Sequence, residues 1–100
     1  MLVLSATAVN AQTCRMSWYK MGHTTANGEH YNPNGLSAAS KTLPFNTRVK
    51  VSYNNRSVIV RVNDRGPFVK SRCMDLSKGS MEALHAISHG IILANLEIVR

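Results

Sequence analysis

Five carboxylates are all the acid in this 100-residue chain, so any acid–base chemistry it performs must draw on them. Asp64 stands where a valine-rich run with Val58, Val60 and Val62 gives way to Gly66-Pro67. A strand that ends in a forced turn can aim a carboxylate into a cleft; the same Asp can equally accept hydrogen bonds from the amides after it and only hold the turn. Glu29 follows Asn27-Gly28 in a long polar stretch, either as the second of an acid pair or as a solvated loop acid. His23 and His30 flank it, within reach of the same cleft or simply exposed. His85 and His89 have the i, i+4 spacing of a helical metal pair. No Glu completes an HExxH pattern, however, and a helix is expected to end between them, so neither a metal nor a cofactor is expected. Cys14 and Cys73 sit in no CxxC or Cys/His cluster; they either close a long loop as a disulfide or lie as buried free thiols.

The elements that must position these groups read mostly as strands. From Arg48 to Val62 the sequence alternates Val49, Val51 and Tyr53 against Arg48, Lys50 and Ser52, then passes Asn54-Asn55 into Val58, Val60 and Val62. That pattern predicts a hairpin with a two-residue primed turn, Val51 opposite Val58 and Val49 opposite Val60, valines inward and Arg48, Lys50 and Arg61 outward. Arg15 to Lys20 reads as a short strand, Met21 to Gly35 as a turn-rich loop, and Leu93 to Val99 as a last strand. Ser77 is placed to cap a helix over Lys78 to Ala86, with Met81, Leu84 and Ala86 or Ile87 facing the core. Five to six short strands with one helix and long connections suggest a small closed barrel.

Composition bounds the partners. A 44% hydrophobic chain of this length closes one modest core, and two domains do not fit. No apolar run approaches the roughly 20 residues of a spanning helix. A formal charge of +7 attracts polyanions, leaving nucleic acid, anionic lipid and acidic wall polymers open. Residues 1–11 are uncharged and run from Leu2-Val3-Leu4 into small residues ending at Ala11. They read as the remnant of a secretory leader lacking its basic start, with residues 12–100 as the mature domain; the alternative, a first strand, suits Ala, Ser and Thr poorly. Gln12-Thr13 before Cys14 lacks the small residue of lipoprotein signals, so a soluble, exported, periplasmic or envelope-associated product is expected. In that compartment a bridge is favoured over free thiols.

The segment Val60-Arg61-Val62-Asn63-Asp64-Arg65-Gly66-Pro67-Phe68 resembles the hallmark of the RlpA-like family of double-psi β-barrel domains. Further blocks resemble that family in the same order: Ser17-Trp18-Tyr19, Thr25-Ala26-Asn27-Gly28-Glu29 with Tyr31, Ser37-Ala38-Ala39, Lys41 to Val49, and Met74-Asp75-Leu76-Ser77. The resemblance covers Arg15 to Val99. It implies a mainly β fold, a six-stranded double-psi barrel, and lytic transglycosylase action on the glycan strands of peptidoglycan. Asp64 and Glu29 are then the expected catalytic pair, with one carboxyl serving in turn as acid and base. Ser40, Tyr31, Thr25, Asn63, Arg65 and Trp18 are the expected substrate contacts, alternation allowing at most one of Trp18 and Tyr19 to serve as a sugar platform. Because Cys14 and Cys73 flank family-matched strands, a disulfide between them is expected.

The family carries His where this chain has Ser40, and a hydroxyl cannot carry a proton near neutral pH as imidazole does. A non-catalytic, expansin-like glycan-binding module is therefore the alternative. Nucleic acid has only the charge in its favour, against the leader and the 6% aromatic content. The expected protein is a monomer without a transmembrane segment.

Overall fold

Asn54 and Asn55 adopt positive φ, 50° and 65°, the conformation a primed hairpin turn demands. They join β3 (Arg48–Tyr53) to β4 (Arg56–Asp64) in the expected register, Val51 facing Val58 and Val49 facing Val60. All five valines of the hairpin are buried, because the two-residue side-chain period puts them on one face. The computed structural model describes residues 11–20, 22 and 24–99.

Around this hairpin close β1 (Ala11–Tyr19), β2 (Ser37–Ser40), β5 (Arg72–Ser77) and β6 (Ile92–Ile98), in the order β1-β5-β2-β4-β3-β6. The chain thus forms the expected mainly β, closed six-stranded barrel with one short helix. Two pairs, β1 with β5 and β2 with β4, are parallel; the others are antiparallel. Among the described residues, closure gives every strand a partner on both sides. Met16, Val62, Met74, Leu76 and Met81 fill the interior.

β2 and β5 were not anticipated as strands. Ser37-Ala38-Ala39-Ser40 is small and uncharged, and it is buried throughout because both neighbours, β4 and β5, pair with it. The helix α1 (Lys78–Ala83) starts where expected, with the Ser77 hydroxyl accepting from the Ser80 amide at 3.2 Å. It is shorter than the expected span because Leu84 leaves helical geometry and His85 turns to φ 55°; a 3₁₀ turn over Ile87–His89 follows.

The Cys14–Cys73 disulfide is formed, with Cα atoms 6.0 Å apart, tying β1 to β5. The leader expected over residues 1–11 lies outside the described residues except for Ala11, the first residue of β1, which faces Glu97 of β6. His23 also lies outside them.

Ser77 and Ser80 anchor the long loop that precedes β2. The Ser77 hydroxyl donates to Gly35 O at 2.6 Å, and the Ser80 hydroxyl donates to Ser37 O at 3.2 Å. The Gly79 amide donates to Pro33 O at 2.7 Å. A Cβ at Gly79 would stand 2.7 Å from Asn34 O, so only glycine allows this approach.

Candidate active site

Four strands set one lateral row of side chains facing away from the core. Ala39 in β2 is aligned with Asp64 in β4 on one side and with Asp75 in β5 on the other, and Asp75 is aligned with Ser17 in β1. An irregularity between β2 and β4 skips Asn63, which lets Asp64 join the row while Val60 and Val62 stay inside.

Asp64 is held by three donors. Its Oδ1 accepts from the amides of Ala26 and Arg65, both at 2.9 Å, and its Oδ2 accepts from the Tyr19 hydroxyl at 3.1 Å. The amide contact from Arg65 is the turn-holding role; those from Ala26 and Tyr19 are not local and join Asp64 to the loop and to β1. Tyr19 stacks on Tyr31, ring centroids 4.6 Å apart at 14°. The Tyr31 hydroxyl donates to Tyr19 O at 2.5 Å. Burial first, and then the Asp64 charge, raise the Tyr19 phenol well above its ordinary range, so it remains a donor.

Glu29 is held as an anion by its neighbours. Both its oxygens receive the Arg61 guanidinium at 2.7 Å, Oε1 also takes the Asn63 amide at 3.1 Å, and Oε2 takes that of Asn27 at 2.9 Å. These donors, Arg61 foremost, draw its carboxyl down to about 2. One loop serves both acids, since Ala26 binds Asp64 while Glu29 closes back on Arg61 and Asn63 of β4.

The other expected contacts fall into two sets. Thr25 is buried and donates to Asn27 Oδ1 at 2.6 Å; Tyr31 and Asn63 are buried too, and all three shape the loop. Asn63 Oδ1 is buried without a donor, alone among the described side chains, an acceptor that a water or a ligand would satisfy. The Arg65 guanidinium makes no contact with the Asp64 carboxylate; it donates to Ser40 O at 3.1 Å, to Leu43 O at 2.9 Å and to Asp64 O at 3.4 Å, and lies 4.1 Å over the Phe45 ring. Trp18 packs against the core; Tyr19, its neighbour, takes the opposite face and reaches Asp64. The Ser40 hydroxyl accepts from the amides of Leu43 at 3.1 Å and Thr42 at 3.4 Å, capping the turn after β2.

Asp75 is the group that residue-by-residue reading missed. Its Oδ1 accepts from the Ser17 hydroxyl at 2.8 Å, and Arg72 donates to the same Ser17 oxygen at 3.3 Å. Burial raises the Asp75 carboxyl, with the Asp64 charge adding and Ser17 and Arg72 opposing. The usable signal was Met74-Asp75-Leu76-Ser77, an acid between two apolar residues, which on a strand places it opposite the core. A cavity of about 520 Å³ is lined by Ser40 and Arg72 among others, and Asp64 is not part of its lining.

Residues 11–95 match the family described as lytic transglycolase. The chain is 52% identical over 88 residues to the endolytic peptidoglycan transglycosylase RlpA of Campylobacter jejuni, covering 83% of this chain and 32% of that protein. It is 45% identical over 94 residues to the RlpA of Rickettsia prowazekii, covering 86% and 29%. The chain thus spans about a third of the length of these curated relatives. In architecture it is similar to the Streptomyces papain inhibitor, with a TM-score of 0.79 at 24% identity, covering 92% of this chain and 96% of that one. An apo expansin from Clavibacter michiganensis superposes with a TM-score of 0.76 at 20% identity, over 90% of this chain and 50% of that one; these two likenesses speak to the fold alone.

Proposed function

The chain belongs to the lytic transglycolase family of double-psi β-barrels, and from that premise we propose that it cleaves peptidoglycan glycan strands without water, leaving anhydro ends, with Asp64 as acid and base. The observation that carries the reading is the fixed Asp64 carboxylate, gripped at Oδ1 by two amides and at Oδ2 only by Tyr19. Oδ2 is therefore the oxygen that exchanges a proton with substrate. In the protonated form it gives that proton to the glycosidic oxygen as the C1–O bond breaks. It then takes one from the C6 hydroxyl of the same sugar, which closes on C1 to form the anhydro ring. The proton count returns to its start and no water is consumed.

Glu29, ionised and tied to Arg61, positions the loop and the substrate rather than sharing the proton load. Asp75 supports Asp64 from the same row: with its carboxyl raised by burial, a second full negative charge is less readily imposed beside the first. Tyr31, Thr25 and Asn63 hold the loop, while Arg65 fixes the Ser40 turn at the site's edge. The protein is proposed to work as an exported monomer in the cell envelope.

The binding-module reading has one observation in its favour: the Ser40 oxygen accepts from two backbone amides as the cap of a turn, and a hydroxyl cannot carry a proton near neutral pH as an imidazole does. Release of soluble anhydro-muropeptides from purified sacculi distinguishes the two readings. The enzyme releases them and Asp64→Asn does not. Wild-type protein that binds sacculi yet releases nothing, with Ser40→His equally inert, leaves the binder.

A further inference from the structure

The cavity of about 520 Å³ beside Ser40 has the size of a small-ligand site and a one-sided charge. Three cations, Lys41, Lys70 and Arg72, stand on its wall, and no carboxylate lines it. Among the described residues none of the three belongs to an ion pair; the two present are Arg61–Glu29 and Lys78–Glu82. Two of the cations are held in place. Lys41 Nζ donates to Val69 O at 3.1 Å, bridging the two loops that flank the opening, and Arg72 donates to Ser17 Oγ at 3.3 Å, with the Asp75 charge nearby. Leu43, Leu96 and the Cys14–Cys73 disulfide supply an apolar lining. Lys41 and Lys70 are exposed and Arg72 is half-buried; the hold on Lys41 and Arg72 favours an anion because less side-chain freedom is lost when it binds.

We propose that this cavity is a carboxylate subsite of the glycan-binding surface, which reads the acidic substituents of muramic acid. The inference rests on the peptidoglycan reading above and deepens it. A β-1,4-linked strand of N-acetylated amino sugars is itself uncharged; its carboxylates come from the lactyl ether of muramic acid, free when the peptide is removed, or from the stem peptide when it is present. Ser40 belongs both to the cavity wall and to the turn that Arg65 ties to the strand end carrying Asp64. A substituent seated in the cavity therefore belongs to a sugar lying near the Asp64 row.

The test measures binding and cleavage by wild type and by Lys41→Gln/Lys70→Gln, which removes two charges and keeps the side-chain length. Lys70→Glu serves as a second variant at an exposed position. Three probes are used: peptide-bearing sacculi, amidase-stripped sacculi, and insoluble chitin, which has the linkage without carboxylates. Wild type is expected to bind at least one muramic-acid material roughly tenfold more tightly than chitin, with the advantage shrinking as salt is raised. The double variant and Lys70→Glu are expected to lose that advantage while their affinity for chitin is unchanged. Loss confined to stripped sacculi identifies the lactyl carboxylate, and loss confined to peptide-bearing sacculi identifies the stem peptide; either outcome supports the subsite. Wild type that cleaves sacculi while both variants keep the full preference overturns the subsite and leaves the enzyme reading standing. Wild type that binds neither form of sacculus overturns both.

Discussion

The Tyr19 hydroxyl donates to Asp64 Oδ2 at 3.1 Å across a sequence separation of 45 residues, and Tyr19 is itself stacked on the buried Tyr31. The end of β1 is thereby linked to the end of β4 through the one carboxylate oxygen that no backbone amide holds. Asp64→Asn keeps the shape and removes the titrating proton. It is expected to abolish release of anhydro-ended products while sacculus pull-down stays near wild type; equal turnover would remove Asp64 from the chemistry.

Tyr19→Phe deletes a single hydrogen bond and keeps the stacked ring. Turnover is expected to fall while the melting temperature stays near wild type, since the phenol fixes the orientation of the Asp64 carboxylate through Oδ2. Unchanged turnover would assign Tyr19 to packing alone.

Glu29 has its carboxyl lowered from 4.5 to about 2 by Arg61, Asn63 and Asn27. A carboxyl lowered on folding contributes stability that is present above its unfolded value and lost as pH falls through the folded one. Glu29→Gln is therefore expected to melt below wild type at pH 7, with the gap closing between pH 4.5 and pH 2. Parallel melting curves across that range would show that the Arg61 pair contributes nothing.

Asp75 has the opposite sign. Its carboxyl is raised by burial, so the folded state prefers it neutral, and stability falls as pH rises through its titration. Asp75→Asn should melt no lower than wild type at pH 7 if the Ser17 contact is retained, and its advantage should vanish in acid. A lower melting point at neutral pH would mean that the charged form is the one the fold requires.

Gly79→Ala places a methyl 2.7 Å from Asn34 O. Because the neighbour is backbone, relief requires the loop ahead of β2 to move, and a loss of about 1–3 kcal/mol is expected in denaturant unfolding. Val60→Ala, deep in the barrel, should cost a similar ~1–3 kcal/mol through lost burial and a residual cavity. Only Gly79→Ala should also slow glycan cleavage, since it displaces the loop that carries Glu29 and Ala26.

The hairpin, its valine face and the Ser77 cap were legible because each rests on local rules: a two-residue side-chain period, an Asn-Asn turn that accepts positive φ, and a hydroxyl within reach of the next helical turn. The Thr25 to Glu29 and Val60 to Phe68 blocks marked the loop and the strand end where the candidate site lies. What they could not reveal was how those blocks meet. That Ala39 lies between Asp64 and Asp75, that Tyr19 rather than Trp18 reaches the carboxylate, and that Arg61 turns Glu29 into a fixed anion all depend on barrel closure, which sets strands distant in sequence side by side. A one-residue skip at Asn63 decides the face on which Asp64 emerges, and burial beneath neighbouring strands and loops, which belongs to no residue alone, raises the Asp75 carboxyl above its ordinary range.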